Sequence, residues 1–142
     1  DGTLVASGSR DTNIHIWDIK SGQSVGETLT DHLNWVMDVS FSSDGNYLAS
    51  SSGDGTVILW DVALARAVGM PFTGHQDWVN VLDFSSDGQY LASGSRDGAI
   101  ILWSLSLQSW QQQACSIANR VFTERELNLY LRNADSHLMC AQ

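Results

Sequence analysis

Histidine, serine and aspartate are the side chains of nucleophilic hydrolysis, and in this chain they come in sets that repeat. Asp11, Asp54 and Asp97 stand 43 residues apart, as do His32 and His75, and serines neighbour each aspartate. Tryptophan keeps the same interval twice, at Trp17, Trp60 and Trp103 and at Trp35 and Trp78. A catalytic constellation is normally single. A set rewritten at a fixed interval, in register with a tryptophan, reads as part of a structural unit, so no catalytic residue is expected. Metal chemistry fares no better. Neither His32 nor His75 has a cysteine or a second histidine at its repeat position, and His137 with Cys140 offers two ligands where zinc takes three or four. His15 stands where the other units carry Ile58 and Ile101, and reads as a strand-face variant. No glycine-rich phosphate loop precedes a helix, so no cofactor is expected.

The elements that would position these side chains follow from the same period. "ASGSRDTNIHIWD" (Ala6 to Asp18), "SSSGDGTVILWD" (Ser50 to Asp61) and "ASGSRDGAIILWS" (Ala92 to Ser104) are one hairpin written three times. "NWVMDVSF" and "DWVNVLDF" are further apolar, partly alternating strands, and a weaker fourth strand is expected over Ala67 to Thr73. Asp44-Gly45 and Asp87-Gly88 suit tight turns, because glycine tolerates positive φ. Four short antiparallel strands per unit of about 40–45 residues describe a propeller blade.

Composition narrows the function. The chain has 142 residues, a formal net charge of −9, 43% apolar and 16% charged residues. Its seven Lys and Arg residues are scattered, which disfavours nucleic acid, whose binding rests on clustered cations. No apolar run is long enough to span a membrane. The opening "DGTLVASGSR" lacks the charged and apolar regions of a signal peptide, so a cytoplasmic location is expected. Cys115 and Cys140 then read as two thiols in a reducing compartment, the other reading being a disulfide that clamps the tail.

With these motifs in place, the chain resembles the WD40 family over residues 1–105, most closely in "HLNWVMDVSFSSDGNYLASSSGDGTVILWD" (His32 to Asp61). The resemblance implies an all-β, β-propeller fold: a partial blade at 1–31, a blade at 32–74, and a blade lacking its outer strand at 75–105. That is a partial ring of about two and a half blades. It also implies a structural tetrad in each blade, in which the indole N–H meets a serine hydroxyl, the serine the imidazole, and the imidazole the carboxylate. On the family spacing these are His32, Ser52, Asp54 and Trp60; His75, Ser95, Asp97 and Trp103; and, without a histidine, Ser9, Asp11 and Trp17.

Residues 106–142 are expected to form a short α-helical tail. Trp110, Ala114, Ile117 and Val121 lie near helical spacing, and Thr123 with Glu126 has the form of a capping box. The tail is similar to one that ends bacterial WD40 proteins carrying NACHT, NB-ARC or kinase modules. That likeness implies the C-terminal sensor or docking region of a larger signalling protein, with protein partners. The remaining blades of a parent chain, or self-association, would cover the open edges. The alternative is a structural, autoinhibitory module of an upstream NTPase or kinase. The resemblance also implies a partner-binding face, on the side of the His loop and the Asp turn, which by position in the repeat comprises Arg10, Trp35, Met37, Gly53, Trp78, Asn80 and Arg96. The other reading is that Trp35 and Trp78 simply pack beside the ring's central channel.

Overall fold

The computed structural model describes residues 2–105. The expected helical tail, Cys115 and Cys140 lie outside the described residues. Among the described residues nine strands form three antiparallel sheets: β1 (Leu4–Gly8) and β2 (Ile14–Asp18); β3 (Val36–Phe41), β4 (Tyr47–Ser52), β5 (Val57–Asp61) and β6 (Arg66–Ala67); and β7 (Val79–Phe84), β8 (Tyr90–Ser95) and β9 (Ile100–Ser104). Each sheet runs in sequence order, so neighbouring strands are joined as hairpins. The turns carry the predicted glycines, with Gly45 and Gly88 at φ 71° and 68°, a region that L side chains rarely enter.

The fourth strand of the complete sheet is shorter than Ala67 to Thr73. It pairs as Trp60↔Ala67 and Asp61↔Arg66, breaks, and returns as the single bridge Val57↔Phe72. Gly69, at φ 74°, and Pro71 interrupt it; proline has no N–H to give the ladder. In the first sheet the outer strand is reduced to the bridges Ile14↔Leu29 and Trp17↔Ser24.

The sheets stack face to face. Ile14, Ile16 and Leu29 of the first meet Val36, Leu48, Ile58 and Trp60 of the second in one buried cluster. Polar groups join the second sheet to the third. Asp38 accepts from Val39 N through one carboxylate oxygen and from Leu82 N through the other, both at 2.9 Å, and Ser40 Oγ donates to Asp83 Oδ1 at 3.2 Å. Equivalent positions differ sharply with place in the stack. Val57, in the middle sheet, is 0% exposed, whereas its counterpart Ile100 in the third is 82% exposed. The outward face of the third sheet thus has the apolar character of a covered one.

A candidate interaction rim above a buried polar network

Two polar networks have the same plan. The Trp60 indole N–H donates to Ser50 Oγ at 2.8 Å, Ser50 lies 2.7 Å from His32 Nε2, and His32 Nδ1 lies 3.0 Å from Asp54 Oδ2. In the next sheet Trp103 Nε1 reaches Ser93 at 2.9 Å, Ser93 is 2.8 Å from His75 Nε2, and His75 Nδ1 is 3.0 Å from Asp97 Oδ2. Hydrogen-bond logic assigns the protons. An indole nitrogen only donates, so the serine oxygen accepts from it and the serine hydroxyl donates to Nε2. The neutral imidazole then carries its proton on Nδ1, facing the carboxylate.

The serine of each set is therefore not the one expected from the family spacing. Ser50 and Ser93 replace Ser52 and Ser95, and in the first sheet Trp17 approaches Ser7, at 3.4 Å, rather than Ser9. Register explains the difference. Trp60 pairs with Leu48, and Ser50 with Ile58. Leu48, directly opposite the indole, is apolar. The first hydroxyl on that face is Ser50, about 7 Å along the strand, whereas Ser52 is about 13 Å along, beyond an indole's reach. Ser52 instead donates to Asn34 O at 3.0 Å and accepts from Asp54 N at 3.1 Å, tying the His32 loop to the turn. Ser95 does the same with Asp77 O and Asp97 N, and Ser9 accepts from Asp11 N.

Ser50→Ala leaves the Trp60 N–H and His32 Nε2 buried without a partner, and an expected cost of about 1–3 kcal/mol follows. Ser50→Cys, which keeps a polar atom of similar size, is milder. Chemical denaturation of the variants checks this order.

Ser–His–Asp in hydrogen-bond contact has the connectivity of a hydrolytic triad, but the setting removes the chemistry. Ser50 and Ser93 are buried, and each hydroxyl oxygen already accepts an indole N–H, so an incoming carbonyl has no approach.

The carboxylates close the networks. Burial works to raise the Asp54 pKa, but His32, the Thr56 hydroxyl, and the backbone N–H groups of Leu33 and Thr56 together hold it well below the usual range. Asp97 is held down to about 2, first by the N–H groups of Gln76 and Ala99, with His75 adding to them. Ala99 stands where Thr56 does, so Asp97 has one hydrogen bond fewer. Asp11 accepts from Asn13 N and is also lowered. Carboxylates whose folded pKa is depressed stabilise the fold above their unfolded pKa, and that contribution is lost as pH falls through the folded value. Acid titration should therefore leave stability unchanged down to about pH 5 and erode it progressively from there through about pH 2 and below. Thermal melts across that range read the effect.

The networks fix one rim of the stack, and the arginines and tryptophans expected on a partner-binding face assemble there. Arg10 lies over the Trp35 ring, its Cζ 4.4 Å from the centroid. Trp35 meets Trp78 edge to face, centroids 5.4 Å apart and planes at 68°. Arg96 covers Trp78 at 4.3 Å. The four side chains form a ladder that crosses all three sheets. Gly53, at the repeat position of Arg10 and Arg96, makes the middle rung: a Cβ there would stand 3.2 Å from Trp78 Cδ2 and from Asn34 Cγ. The Trp78 indole thus packs against the Gly53 backbone, where a side chain would crowd it. Met37 and Asn80 do not join the ladder contacts. Each is the extra residue of a β-bulge, between Val36 and Asp38 and between Val79 and Val81. A bulge re-aims its side chain, and both are half-buried, with Asn80 Oδ1 lacking a hydrogen-bond partner.

Sequence reasoning placed the ladder residues on one face by repeat position, but missed that arginine and tryptophan stack. It also missed Ser50, Ser93 and Ser7. Strand alternation was the signal that narrows the choice to the serines on the tryptophan face, and the register of the paired strands decides among them.

Comparison with known proteins agrees with the geometry. The WD domain, G-beta repeat model of the WD40 family matches residues 1–18, 23–61 and 68–104. Similar proteins include the nuclear distribution protein PAC1 of Mycosarcoma maydis, 56% identical over 41 residues, and that of Coccidioides posadasii (strain C735), 51% identical over 43 residues. These alignments cover 29% and 30% of this chain and 9% of each relative. With three matching repeats across more than half of its length and two complete Trp–Ser–His–Asp networks, the chain belongs to the WD40 repeat family.

Proposed function

We propose that the chain is a non-catalytic protein-interaction scaffold, the docking or sensor region of a larger, cytoplasmic signalling protein, and that the Arg10–Trp35–Trp78–Arg96 ladder is its contact surface. The observation that carries this reading is the ladder itself. Trp35 is exposed and both arginines lie at the surface, and tryptophan and arginine are among the residues most enriched at the energetic centres of protein interfaces. WD40 repeats serve widely as interaction scaffolds, which agrees with it. The bacterial, NACHT-, NB-ARC- or kinase-linked setting rests on the tail sequence alone, and the relatives named above are fungal.

A second reading, a structural and autoinhibitory module of an upstream NTPase or kinase, is favoured by the exposed Ile100 and Leu102 face. Further blades or an effector domain would cover it. Crosslinking in the host distinguishes the two. A photoreactive residue at Arg10 or Arg96 that crosslinks to a separate protein supports docking, while crosslinks solely from Ile100 and Leu102, and within one chain, support the structural role.

A further inference from the structure

The geometry points to an extended acidic peptide as the ligand of this rim, with the pattern acidic–x–apolar–x–acidic; this rests on the reading of the ladder as a contact surface. Arg10 and Arg96 each lie on an indole and, among the described residues, neither has a carboxylate within ion-pair distance. That is unusual company for two cations in a chain of net charge −9. The acids that follow them in sequence are already engaged. Asp11 accepts from Asn13 N, and Asp97 from His75, Gln76 N and Ala99 N. Asp54 is saturated in the same way, and Asp77 accepts from Trp78 N. Asp31 remains exposed beside His32.

A guanidinium stacked on a ring uses its face, and its N–H edge stays available for a carboxylate in a bidentate pair. The stacking also orders the arginine before any ligand arrives, which lowers the entropy cost of binding. Between the two cations lie Trp35 and Trp78, packed edge to face, an apolar seat.

The ladder distances put the two guanidinium carbons no more than about 14 Å apart, so an extended chain needs at most about four residues to pass from one to the other. Residues i, i+2 and i+4 of an extended peptide point to one side. The two acids then face Arg10 and Arg96 while the apolar residue between them rests on Trp35 and Trp78. The apolar contact and the two charge pairs are independent contributions, so a peptide lacking either one binds more weakly.

The test uses the full 142-residue chain and a fluorescein-labelled peptide with a Glu-Ser-Leu-Ser-Glu core, read by fluorescence anisotropy, alongside selection from a random peptide library. Expected are an enrichment of acids four positions apart, and a loss of about fivefold in affinity for each of Arg10→Gln and Arg96→Gln, the size of one partly exposed charge pair. Replacing both Glu by Gln in the peptide, or raising salt, weakens binding similarly. Thermal melts confirm that the two variants fold. Equal affinity for the Glu and Gln peptides overturns the acidic-ligand inference. If non-acidic peptides are selected and lose binding in Trp35→Leu, the inference fails but the contact-surface reading stands. If no selected peptide depends on Arg10, Trp35, Trp78 or Arg96, both fail.

Discussion

Trp60→Ala lowers the unfolding free energy by about 3–5 kcal/mol, the range for deleting a large buried aromatic, while Trp17→Ala costs well under half of that. The two residues hold the same place in their repeats, yet Trp60 is 1% exposed and Trp17 is 38% exposed. Trp60 is packed among Ile14, Ile16, Leu29, Val36, Leu48 and Ile58, so its loss opens a cavity at the junction of two sheets. It also removes the donor to Ser50, a bond of 2.8 Å, where Trp17 reaches Ser7 at 3.4 Å. Urea denaturation of the two variants gives the comparison. If Trp60→Ala proves too unstable to purify, Trp60→Phe keeps most of the volume and loses the N–H, for an expected cost of about 1–3 kcal/mol. Equal costs at positions 17 and 60 would show that the tryptophans act within their own hairpins and not between sheets.

The second large effect is at Asp54. Its two oxygens accept from His32 Nδ1, Leu33 N, Thr56 N and Thr56 Oγ1. Asp54→Ala strands the buried imidazole and releases the turn from the loop at once, and about 2–3 kcal/mol is expected. Asp54→Asn is an informative partner. It keeps an acceptor for one side of the site but presents N–H₂ to donors on the other, so it recovers only part of the loss. Asp97→Ala has a smaller effect, since Asp97 is more exposed and lacks the hydroxyl bond that Thr56 gives Asp54. The same measurement, with the order Asp54 above Asp97, checks the assignment.

Much of this architecture was legible because the repeat is written in residues with few alternatives. Tryptophan, the Asp-Gly turns and the histidines recur at one interval, and that interval fixes the sheets, their hairpin connections and the rim on which the Asp turns and His loops meet. The serine of each network was not legible from spacing. Three serines in a row, Ser50, Ser51 and Ser52, end β4, and two of them share the Trp60 face. Choosing between them requires the Leu48↔Trp60 register, which is a property of the paired strands. The stacking of Arg10 on Trp35 was hidden for a related reason: it joins neighbouring sheets, whereas Arg96 covers a tryptophan of its own sheet. A repeat compared with itself shows which positions correspond. It does not show that Gly53 lets an indole pack against the backbone at the position where the other units carry arginine.

The fold and the proposed function meet in one claim, that the buried Trp–Ser–His–Asp networks hold the His loop and the Asp turn together and so display the ladder. Hydrogen exchange of the indole N–H groups, followed by ¹⁵N-resolved NMR, reads that claim directly. The Trp60 N–H should exchange slowest and that of Trp103 next, with the N–H groups of Trp17 and Trp35 exchanging fast. Asp54→Ala should accelerate Trp60 and spare Trp103. A Trp60 N–H that exchanges as fast as that of Trp17, or that is indifferent to Asp54, would contradict the account.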